Sequence, residues 1–205
     1  MKEFKEYRYI AIEGNIGVGK TTLAKLLAKQ LNARLVLEEF ADNPFLEKFY
    51  EDQKRYAFPV EMAFLADRYR QLQALENTQD LFQPILVADY APFKSLLFAQ
   101  NNLEEQEFLL YRNFWELSLG KLPSPDLIIY LKRPMESLQR NIVERGRSYE
   151  QSLPLEYLQT LEKRYKYYLE HSWNGPIQEV FADDYDFLAG PDVLNTFLND
   201  LLKKK

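Results

Sequence analysis

The sequence predicts an α/β fold in which helices flank a parallel five-stranded sheet. Two observations predict it. Short apolar runs alternate along the chain with longer segments of helical spacing, and this alternation is typical of a parallel sheet covered on both faces. The first apolar run is also followed by a glycine-rich loop that opens directly into a helical segment. At 205 residues the chain is long enough to bury one core, so we treat residues 1–205 as a single domain.

The elements follow from the same pattern. We predict strands at the apolar runs, at residues 7–13, 34–37, 84–89, 126–131 and 177–182. Helices are predicted between and after them, at 20–31, 44–50, 57–77, 104–119, 135–144, 154–171 and 191–201. Ligands of such sheets bind beyond the carboxyl ends of the strands, so residues that directly follow strands are the candidates for a functional site.

The loop after the first strand fits Gly-x-x-x-x-Gly-Lys-[Ser/Thr], the P-loop pattern that binds triphosphates. Its residues are Gly14, Asn15, Ile16, Gly17, Val18, Gly19, Lys20 and Thr21. Glycines let backbone N–H groups curl around an anion, and the helix start adds partial positive charge. We expect ATP to lie on this loop and on Thr22, with Lys20 at the outer phosphates and Thr21 at a Mg²⁺ ion. The alternative, an ordinary glycine-rich turn, leaves the Lys-Thr pair unexplained.

Composition narrows the class of protein. The net charge of −5 argues against a nucleic-acid surface, which is usually basic. The absence of cysteine excludes disulfide and thiolate chemistry and fits a reducing compartment. The sequence shows neither a signal peptide nor an apolar run long enough to span a membrane. A cytoplasmic enzyme without a membrane partner is therefore expected.

Three further sites follow predicted strands or helices. Glu38 ends the second strand, where a carboxylate can accept a hydroxyl proton; the alternative is a solvated loop acid. Asp89 ends the third strand and can orient Mg²⁺, or it can simply cap a turn. Arg145 and Arg147 flank Gly146 at a helix end and can close over a triphosphate as an arginine-rich lid at about 144–153. Their alternative role is to complement the helix dipole.

Several motifs occur in an order and at separations that resemble the deoxynucleoside kinase family. They are the stretches 13–21, 61–68, 145–151 and 154–158, together with Tyr50. The resemblance covers about residues 9–168, and the nearest branch is that of bacterial deoxyguanosine and deoxyadenosine kinases. It implies a P-loop NTPase-type fold and the ATP-dependent phosphorylation of a deoxynucleoside 5′-hydroxyl in nucleotide salvage.

The resemblance also implies roles for individual residues. Glu38 matches the catalytic base for the 5′-hydroxyl, Asp89 the acid of a Glu/Asp-Arg-Ser motif, and Arg145 a lid arginine. The substrate-binding positions are matched by Tyr50 and Glu150 at the 3′-hydroxyl, with Tyr50 also crowding a 2′-hydroxyl, by Arg68 near the base, and by Phe98 packed on the base.

The sequence departs from the family pattern in three places. Asp89-Tyr90-Ala91 stands where the family has Glu-Arg-Ser, so the arginine that accompanies the base is missing, and Arg68 or Arg140 would have to replace it. Asn141 occupies a lid position that is often arginine. The usual Glu-Pro is Glu38-Glu39, so Glu39 competes with Glu38 for the role of base.

Glu61 falls where many relatives have a glutamine that faces the Watson–Crick edge of the base. An ionised carboxylate only accepts hydrogen bonds, and guanine presents N1–H beside N2–H₂, whereas adenine presents a donor beside an acceptor. We therefore predict a preference for deoxyguanosine among purines, with Lys94 donating to guanine O6. The alternative is that Glu61 pairs with Arg68, seven residues along the same helix.

Two alternative functions remain. One is a nucleoside monophosphate kinase, similar to thymidylate kinase, with a second phosphate site built from Arg68, Arg70 and Arg133. The other is a non-catalytic P-loop regulatory module, which the absence of Asn-Lys-x-Asp disfavours. The predicted helix at 104–119 has more apolar residues than one core face needs. It is either deeply buried in the monomer or the contact of a dimer; a homodimer is expected, with a heterodimer as the alternative.

Overall fold

The computed structural model describes residues 6–38, 43–76, 83–151, 153–187 and 191–203. Five strands form one sheet in the order β2-β3-β1-β4-β5, and every neighbouring pair is parallel. The strands are β1 (Tyr9–Gly14), β2 (Arg34–Val36), β3 (Leu86–Ala88), β4 (Leu127–Lys132) and β5 (Ile177–Phe181). The predicted α/β fold with a parallel five-stranded sheet is confirmed, and the strand boundaries differ from the predicted ones by at most two residues.

The described residues contain eight α-helices. They are α1 (Lys20–Leu31), α2 (Leu46–Glu51), α3 (Gln53–Glu76), α4 (Lys94–Asn102), α5 (Glu105–Leu117), α6 (Met135–Arg145), α7 (Leu155–His171) and α8 (Pro191–Lys203). Helix α3 begins four residues before the predicted start, and the predicted last residue, 77, lies outside the described residues. Helix α5 ends at Leu117, and a short 3-10 turn, Leu119–Lys121, follows it.

Helix α4 is absent from the sequence prediction. Its buried residues are Lys94, Ser95, Leu97 and Ala99, so charged and apolar side chains are buried on the same helix. A regular apolar stripe is the signal by which a helix is detected in sequence, and α4 does not have one. Lys94, Phe98 and Asn102 of this helix line the cavity described below.

The sheet separates two cores because successive strand residues point to opposite faces. On one face, Ile10 and Ile12 of β1 pack with residues of α1, α6 and α8. On the other face, Tyr9 and Ala11 pack with residues of α3, α4, α5 and α7. Both faces are thus covered, as near-continuous apolar runs in parallel strands require.

Helix α5 is not deeply buried. Tyr111 is its buried residue, while Leu109, Leu110, Phe114 and Leu117 are 44–66 % exposed. The alternative of burial inside the monomer is therefore wrong, and the helix presents an apolar face to the outside. Among the described residues, no helix combines the length and the apolar character needed to cross a membrane.

Two glycines with positive φ allow a matched test of backbone constraint. A Cβ on Gly14 (φ 143°) would lie 2.5 Å from the carbonyl oxygen of Leu131, whereas a Cβ on Gly146 (φ 73°) would meet no atom within 4 Å. We expect Gly146→Ala to lower the free energy of unfolding by about 1 kcal/mol, the cost of a left-handed conformation. Gly14→Ala should lower it by about 2–5 kcal/mol, because the steric clash adds to that cost. Urea unfolding followed by circular dichroism measures both values, and equal losses would contradict the expectation.

Candidate active site

The carboxyl ends of the strands open onto a cavity of about 660 Å³. Most of the predicted site residues line it, namely Ile16, Gly17, Val18, Gly19, Lys20, Thr21, Thr22, Glu38, Tyr50, Glu61, Arg68, Asp89, Phe98, Arg145, Arg147 and Glu150. Gly14 and Asn15 are buried behind the loop instead, with Asn15 4 % exposed. A second cavity, of about 520 Å³ beside α8, is lined by none of the predicted residues.

The glycine-rich loop is held from behind by two asparagines. The Asn15 side chain accepts a hydrogen bond from the Ile16 N–H (2.8 Å) and donates one to the carbonyl of Leu158 on α7 (2.8 Å). The Asn141 amide on α6 donates to the carbonyl of Gly17 (2.8 Å). The loop is thereby fixed between two helices. Its only lysine, Lys20, donates to the carbonyls of Gly14 and Asn15, both at 2.9 Å.

Asp89 joins the loop to the end of β2. Its Oδ2 accepts a hydrogen bond from the Thr21 hydroxyl (2.5 Å), and its Oδ1 accepts one from the backbone N–H of Glu38 (2.8 Å). Asp89 is 2 % exposed. The structure thus places an acid and a hydroxyl together at the start of α1, where both were expected from the sequence.

Glu38 lies between two cations that come from different helices. Its Oε1 accepts hydrogen bonds from Arg68 of α3, through Nε at 3.0 Å and through Nη2. Its Oε2 accepts a hydrogen bond from the ammonium of Lys94 on α4. Arg68 also donates to the Ser95 hydroxyl (2.8 Å). Arg68, rather than Arg140, therefore contacts Glu38, and Arg140 donates to Ser137 (3.3 Å).

Burial by itself would raise the pKa of Glu38, but Lys94 and Arg68 outweigh it and lower this pKa to about 2. The carboxylate is consequently ionised at neutral pH. Each of its oxygens has capacity for more than one hydrogen bond, so a substrate hydroxyl can still donate to it. Glu39, the competing candidate, lies outside the described residues.

Glu61 does not pair with Arg68. Its Oε1 accepts a hydrogen bond from the Asn102 amide (2.7 Å), and its Oε2 is buried without a hydrogen-bond partner among the described residues. Burial raises the pKa of Glu61 to about 7, with Arg68 and the Asn102 hydrogen bond opposing the shift. Lys94, which was expected to face guanine O6, donates to Glu38 instead.

The residues predicted to hold the sugar lie on α2 and on the lid. Tyr50 is half-buried, and its ring lies 5.4 Å from the ring of Tyr149, centroid to centroid. Burial raises the pKa of Tyr50, and Glu150 is among the neighbours that add to the shift, so the predicted pair is close. Phe98 of α4 is half-buried beside Lys94, whose Nζ is 5.3 Å from the ring centroid.

The predicted lid begins where α6 ends. Gly146 adopts the left-handed conformation as the residue after the helix, and a short 3-10 turn, Ser148–Glu150, follows. Arg145 and Arg147 both form ion pairs with Glu150, with Arg147 at 3.1 Å. Their side chains are 34 % and 29 % exposed, whereas that of Glu150 is 5 % exposed. Residue 152 of the lid lies outside the described residues.

Sequence reasoning missed Ser95 and Asn102 and assigned Lys94 another role. All three belong to α4, the helix that was not predicted. The available signal was the segment after Asp89, since ligands of a parallel sheet are contacted by residues beyond strand ends. Arg133 also lines the cavity, but it forms an ion pair with Asp183 at 3.0 Å.

A family model described as Deoxynucleoside kinase matches residues 10–204. The chain belongs to the deoxynucleoside kinase family. It is therefore an enzyme of the kinase class. Among its relatives is the deoxyguanosine kinase of Bacillus subtilis (strain 168), 40 % identical over 162 residues that cover 77 % of this chain and 76 % of the relative. The deoxyadenosine/deoxycytidine kinase of the same organism is 28 % identical over 196 residues, which cover 94 % and 90 % of the two chains.

Solved structures agree with this deoxynucleoside kinase fold. The deoxyadenosine kinase from M. mycoides with bound dATP superposes with a TM-score of 0.78 at 27 % identity, covering 93 % of this chain and 99 % of that one. The same enzyme with dCMP and a flexible dCDP bound gives a TM-score of 0.78 at 26 % identity, covering 95 % and 99 %.

The contacts of this deoxynucleoside kinase around Glu38 predict a large difference between two arginines of α3. Arg68 is buried against Glu38, whereas the side chain of Arg70 is 75 % exposed beside Asp67. Arg68→Met should lower the free energy of unfolding by about 3–5 kcal/mol, because it leaves a buried carboxylate with one cation fewer. Arg70→Met is the matched control and should change it by less than about 0.5 kcal/mol. Urea unfolding at pH 7 compares them, and similar losses would show that the buried pair is not stabilising the fold.

The environment of Glu61 in this kinase predicts a pH-dependent stability. Since its pKa rises from 4.5 to about 7 on folding, the folded state holds a proton that the unfolded chain releases between these values. The free energy of unfolding therefore falls as pH rises from about 4.5 to about 7, and Glu61→Gln removes this loss. Across that range, the free energy of unfolding of the variant should rise by about 1–3 kcal/mol relative to that of the native chain. Urea unfolding at pH 5 and pH 8 measures the gain.

The matched control for that measurement is Glu116→Gln, because the Glu116 side chain is 60 % exposed on α5. It should not alter the pH dependence of unfolding. A difference between Glu61→Gln and the native chain that is constant over the whole range would contradict the prediction.

Proposed function

We propose that this chain transfers the γ-phosphoryl group of ATP to the 5′-hydroxyl of a deoxynucleoside, preferably deoxyguanosine, in nucleotide salvage. One observation carries the proposal. A single cavity of about 660 Å³ is lined by the phosphate-binding loop and also by the carboxylates Glu38 and Glu61. A donor phosphate on the loop and an acceptor hydroxyl at Glu38 would therefore share one enclosed space, as direct transfer requires.

The donor half uses the loop and Lys20. Burial and the nearby Lys94 lower the pKa of Lys20 to about 8, although Glu13, Glu38 and Asp89 oppose the shift. A bound triphosphate would add negative charge next to the ammonium and favour its charged form. Backbone N–H groups of the loop and the start of α1 supply further positive charge to the phosphates.

The residues present fit a Mg²⁺ ion at the Thr21–Asp89 pair. A hydroxyl and a carboxylate oxygen lie 2.5 Å apart there, and both are the hard oxygen ligands that Mg²⁺ prefers. Within the described ranges, no group of three or more His, Cys, Asp or Glu side chains is placed to hold a metal ion. Mg²⁺ is usually bound by one or two protein groups together with substrate phosphates, and when bound it neutralises charge on those phosphates.

The acceptor half orients the nucleophile at Glu38. The low pKa of this carboxylate makes it a weak base before reaction, so its first role is to accept a hydrogen bond from the 5′-hydroxyl and aim the oxygen. Phosphoryl transfer passes through a loose transition state, in which the hydroxyl proton becomes acidic only as the new P–O bond forms. The proton then passes to Glu38, and Arg68 and Lys94 hold the carboxylate in place.

The lid arginines would stabilise charge on the transferring group. In this structure Arg145 and Arg147 both contact Glu150, so this one carboxylate is shared between two guanidinium groups. A phosphate entering the cavity supplies a better-matched acceptor for a guanidinium. Glu150 and Tyr50 would then bind the 3′-hydroxyl, with Tyr50 crowding a 2′-hydroxyl. Phe98 would pack on the base.

A preference for deoxyguanosine rests on Glu61 and on the relatives. An ionised carboxylate offers two acceptors, which match the N1–H and N2–H₂ donors of guanine. The deoxyguanosine kinase of Bacillus subtilis is 40 % identical over the shared 162 residues, which supports this assignment. Other relatives are named for deoxyadenosine and deoxycytidine, so base preference varies within one fold.

A nucleoside monophosphate kinase would need three arginines for a second phosphate site, and the contacts of these arginines disfavour this alternative. Each already has a carboxylate partner: Arg68 with Glu38, Arg70 with Asp67 and Arg133 with Asp183. A phosphate acceptor beside Glu38 would also be repelled by that carboxylate. Membership of a kinase family removes the second alternative, a non-catalytic regulatory module.

We also propose that the exposed apolar face of α5 forms a homodimer. Four large apolar side chains, Leu109, Leu110, Phe114 and Leu117, are 44–66 % exposed on one helix, and such patches usually mark an interface. A cytoplasmic location stays a prediction from the composition.

A phosphorylation panel tests the proposed function. Purified protein is incubated with Mg-ATP at pH 8 and, separately, with four deoxynucleosides, four ribonucleosides and their monophosphates. We expect deoxyguanosine to be the best acceptor and ribonucleosides to be poor ones, with 5′-monophosphates as products. Glu38→Gln should lower kcat by about 10²–10⁴-fold, the usual contribution of a general base. Phosphorylation confined to the monophosphates would refute the proposal.

A further inference from the structure

The two oxygens of the Glu61 carboxyl group differ in their hydrogen bonding. Oε1 accepts the Asn102 amide at 2.7 Å, whereas Oε2 is buried and has no hydrogen-bond partner among the described residues. Glu61 is 2 % exposed and lines the same cavity as the glycine-rich loop. A buried polar atom without a hydrogen-bond partner costs free energy, so Oε2 is best explained by a bound ligand that supplies the missing hydrogen bond.

The surrounding charges do not fix the protonation state of this group. The cations that face it, Arg68 and Lys94, both form their ion pairs with Glu38, and the Glu38 carboxylate itself opposes ionisation of Glu61. The other ionisable groups that face it are phenols, Tyr111 of α5 and Tyr157 of α7, and burial raises the pKa of each. Both phenols are therefore neutral throughout the accessible pH range.

We propose that Glu61 reads the acceptor base in two protonation states, selecting guanine when ionised and adenine when protonated. The inference rests on the proposed function. As a carboxylate, Glu61 presents two acceptors to guanine N1–H and N2–H₂. As a carboxylic acid, it presents one donor beside one acceptor, which is the complement of adenine N1 and N6–H₂. A single side chain thereby alternates between the hydrogen-bonding pattern of glutamate and that of glutamine.

The hydrogen bonds of Glu61 indicate which of its two oxygens carries the exchangeable proton. Oε1 already accepts an N–H from Asn102, so a proton added to the carboxyl group resides on Oε2, the oxygen without a partner. Protonation thus converts Oε2 from an acceptor into a donor and leaves the Asn102 contact unchanged. Because burial raises the pKa of Glu61 to about 7, both states are populated near neutral pH.

Thermodynamic linkage between proton binding and substrate binding gives the direction in which the base preference changes with pH. Deoxyguanosine binds the ionised state and deoxyadenosine the protonated state, so the two enzyme–substrate complexes differ by one bound proton. The ratio of kcat/KM for deoxyguanosine to that for deoxyadenosine should rise with pH, by up to about tenfold per pH unit around neutrality. The pH effects on ATP, on the lid and on Glu38 are common to both substrates and cancel in this ratio.

The test is a competition assay with both nucleosides and Mg-ATP, from about pH 5.5 to 8.5, on the native enzyme and on Glu61→Gln. We expect the ratio to rise with pH in the native enzyme. In Glu61→Gln it should be independent of pH and shifted toward deoxyadenosine. A native ratio that does not change with pH would overturn the inference, as would an equal pH dependence in the variant.

A second measurement on the native enzyme does not depend on how the variant folds. Calorimetric titration in two buffers of different ionisation enthalpy counts the protons exchanged on binding. Deoxyguanosine should release a proton at pH 6, and deoxyadenosine should take one up at pH 8; equal proton counts for the two would contradict the inference. Failure of the proposed function has a separate signature, because neither nucleoside would then be phosphorylated at any pH.

Discussion

The proposed acceptor half of this cavity depends on one buried ionic contact, the Glu38 carboxylate between Arg68 and Lys94. The carboxylate follows β2, the guanidinium comes from α3 and the ammonium from α4. A buried charge is tolerated only when it is paired, so these three elements must pack against one another for any of the three charges to be accommodated. The backbone N–H of Glu38 also donates to Asp89, which contacts Thr21 at the loop. Through Asp89, Glu38 is therefore connected to the glycine-rich loop as well as to α3 and α4.

This arrangement gives two carboxylates of one cavity opposite properties. Glu38 receives both cations, and its pKa falls to about 2 despite its burial. Glu61 is left with a neutral amide as its hydrogen-bond donor, and burial raises its pKa to about 7. Divergent environments for similar groups are a common way to divide roles within a site. Here a permanently ionised group would face the hydroxyl, and a group that can hold a proton would face the base.

The donor half is built differently. The groups proposed to bind the phosphates are backbone amides and one lysine within a short contiguous segment, and Asn15 and Asn141 fix that segment to α7 and α6. Relatives named for deoxyguanosine, deoxyadenosine and deoxycytidine share the fold, so the differences among them are expected in the acceptor half. A few side chains on a common fold are sufficient to change which base is bound, because each unpaired polar group costs about 1–3 kcal/mol.

The sequence by itself determined the five strands and seven of the eight described α-helices, the glycine-rich loop, and the location of Glu38 and Asp89 at strand ends. These features are local, because they depend on residue spacing and on the rule that ligands bind beyond strand ends. Only the tertiary structure decided which cation meets Glu38, since Arg68 and Lys94 lie 30 and 56 residues away along the chain. It also decided that Glu61 and Arg68 do not pair. Two positions seven residues apart in a helix are separated by about 10 Å along the helix axis. Arg68 instead contacts Glu38, and both of these side chains are buried.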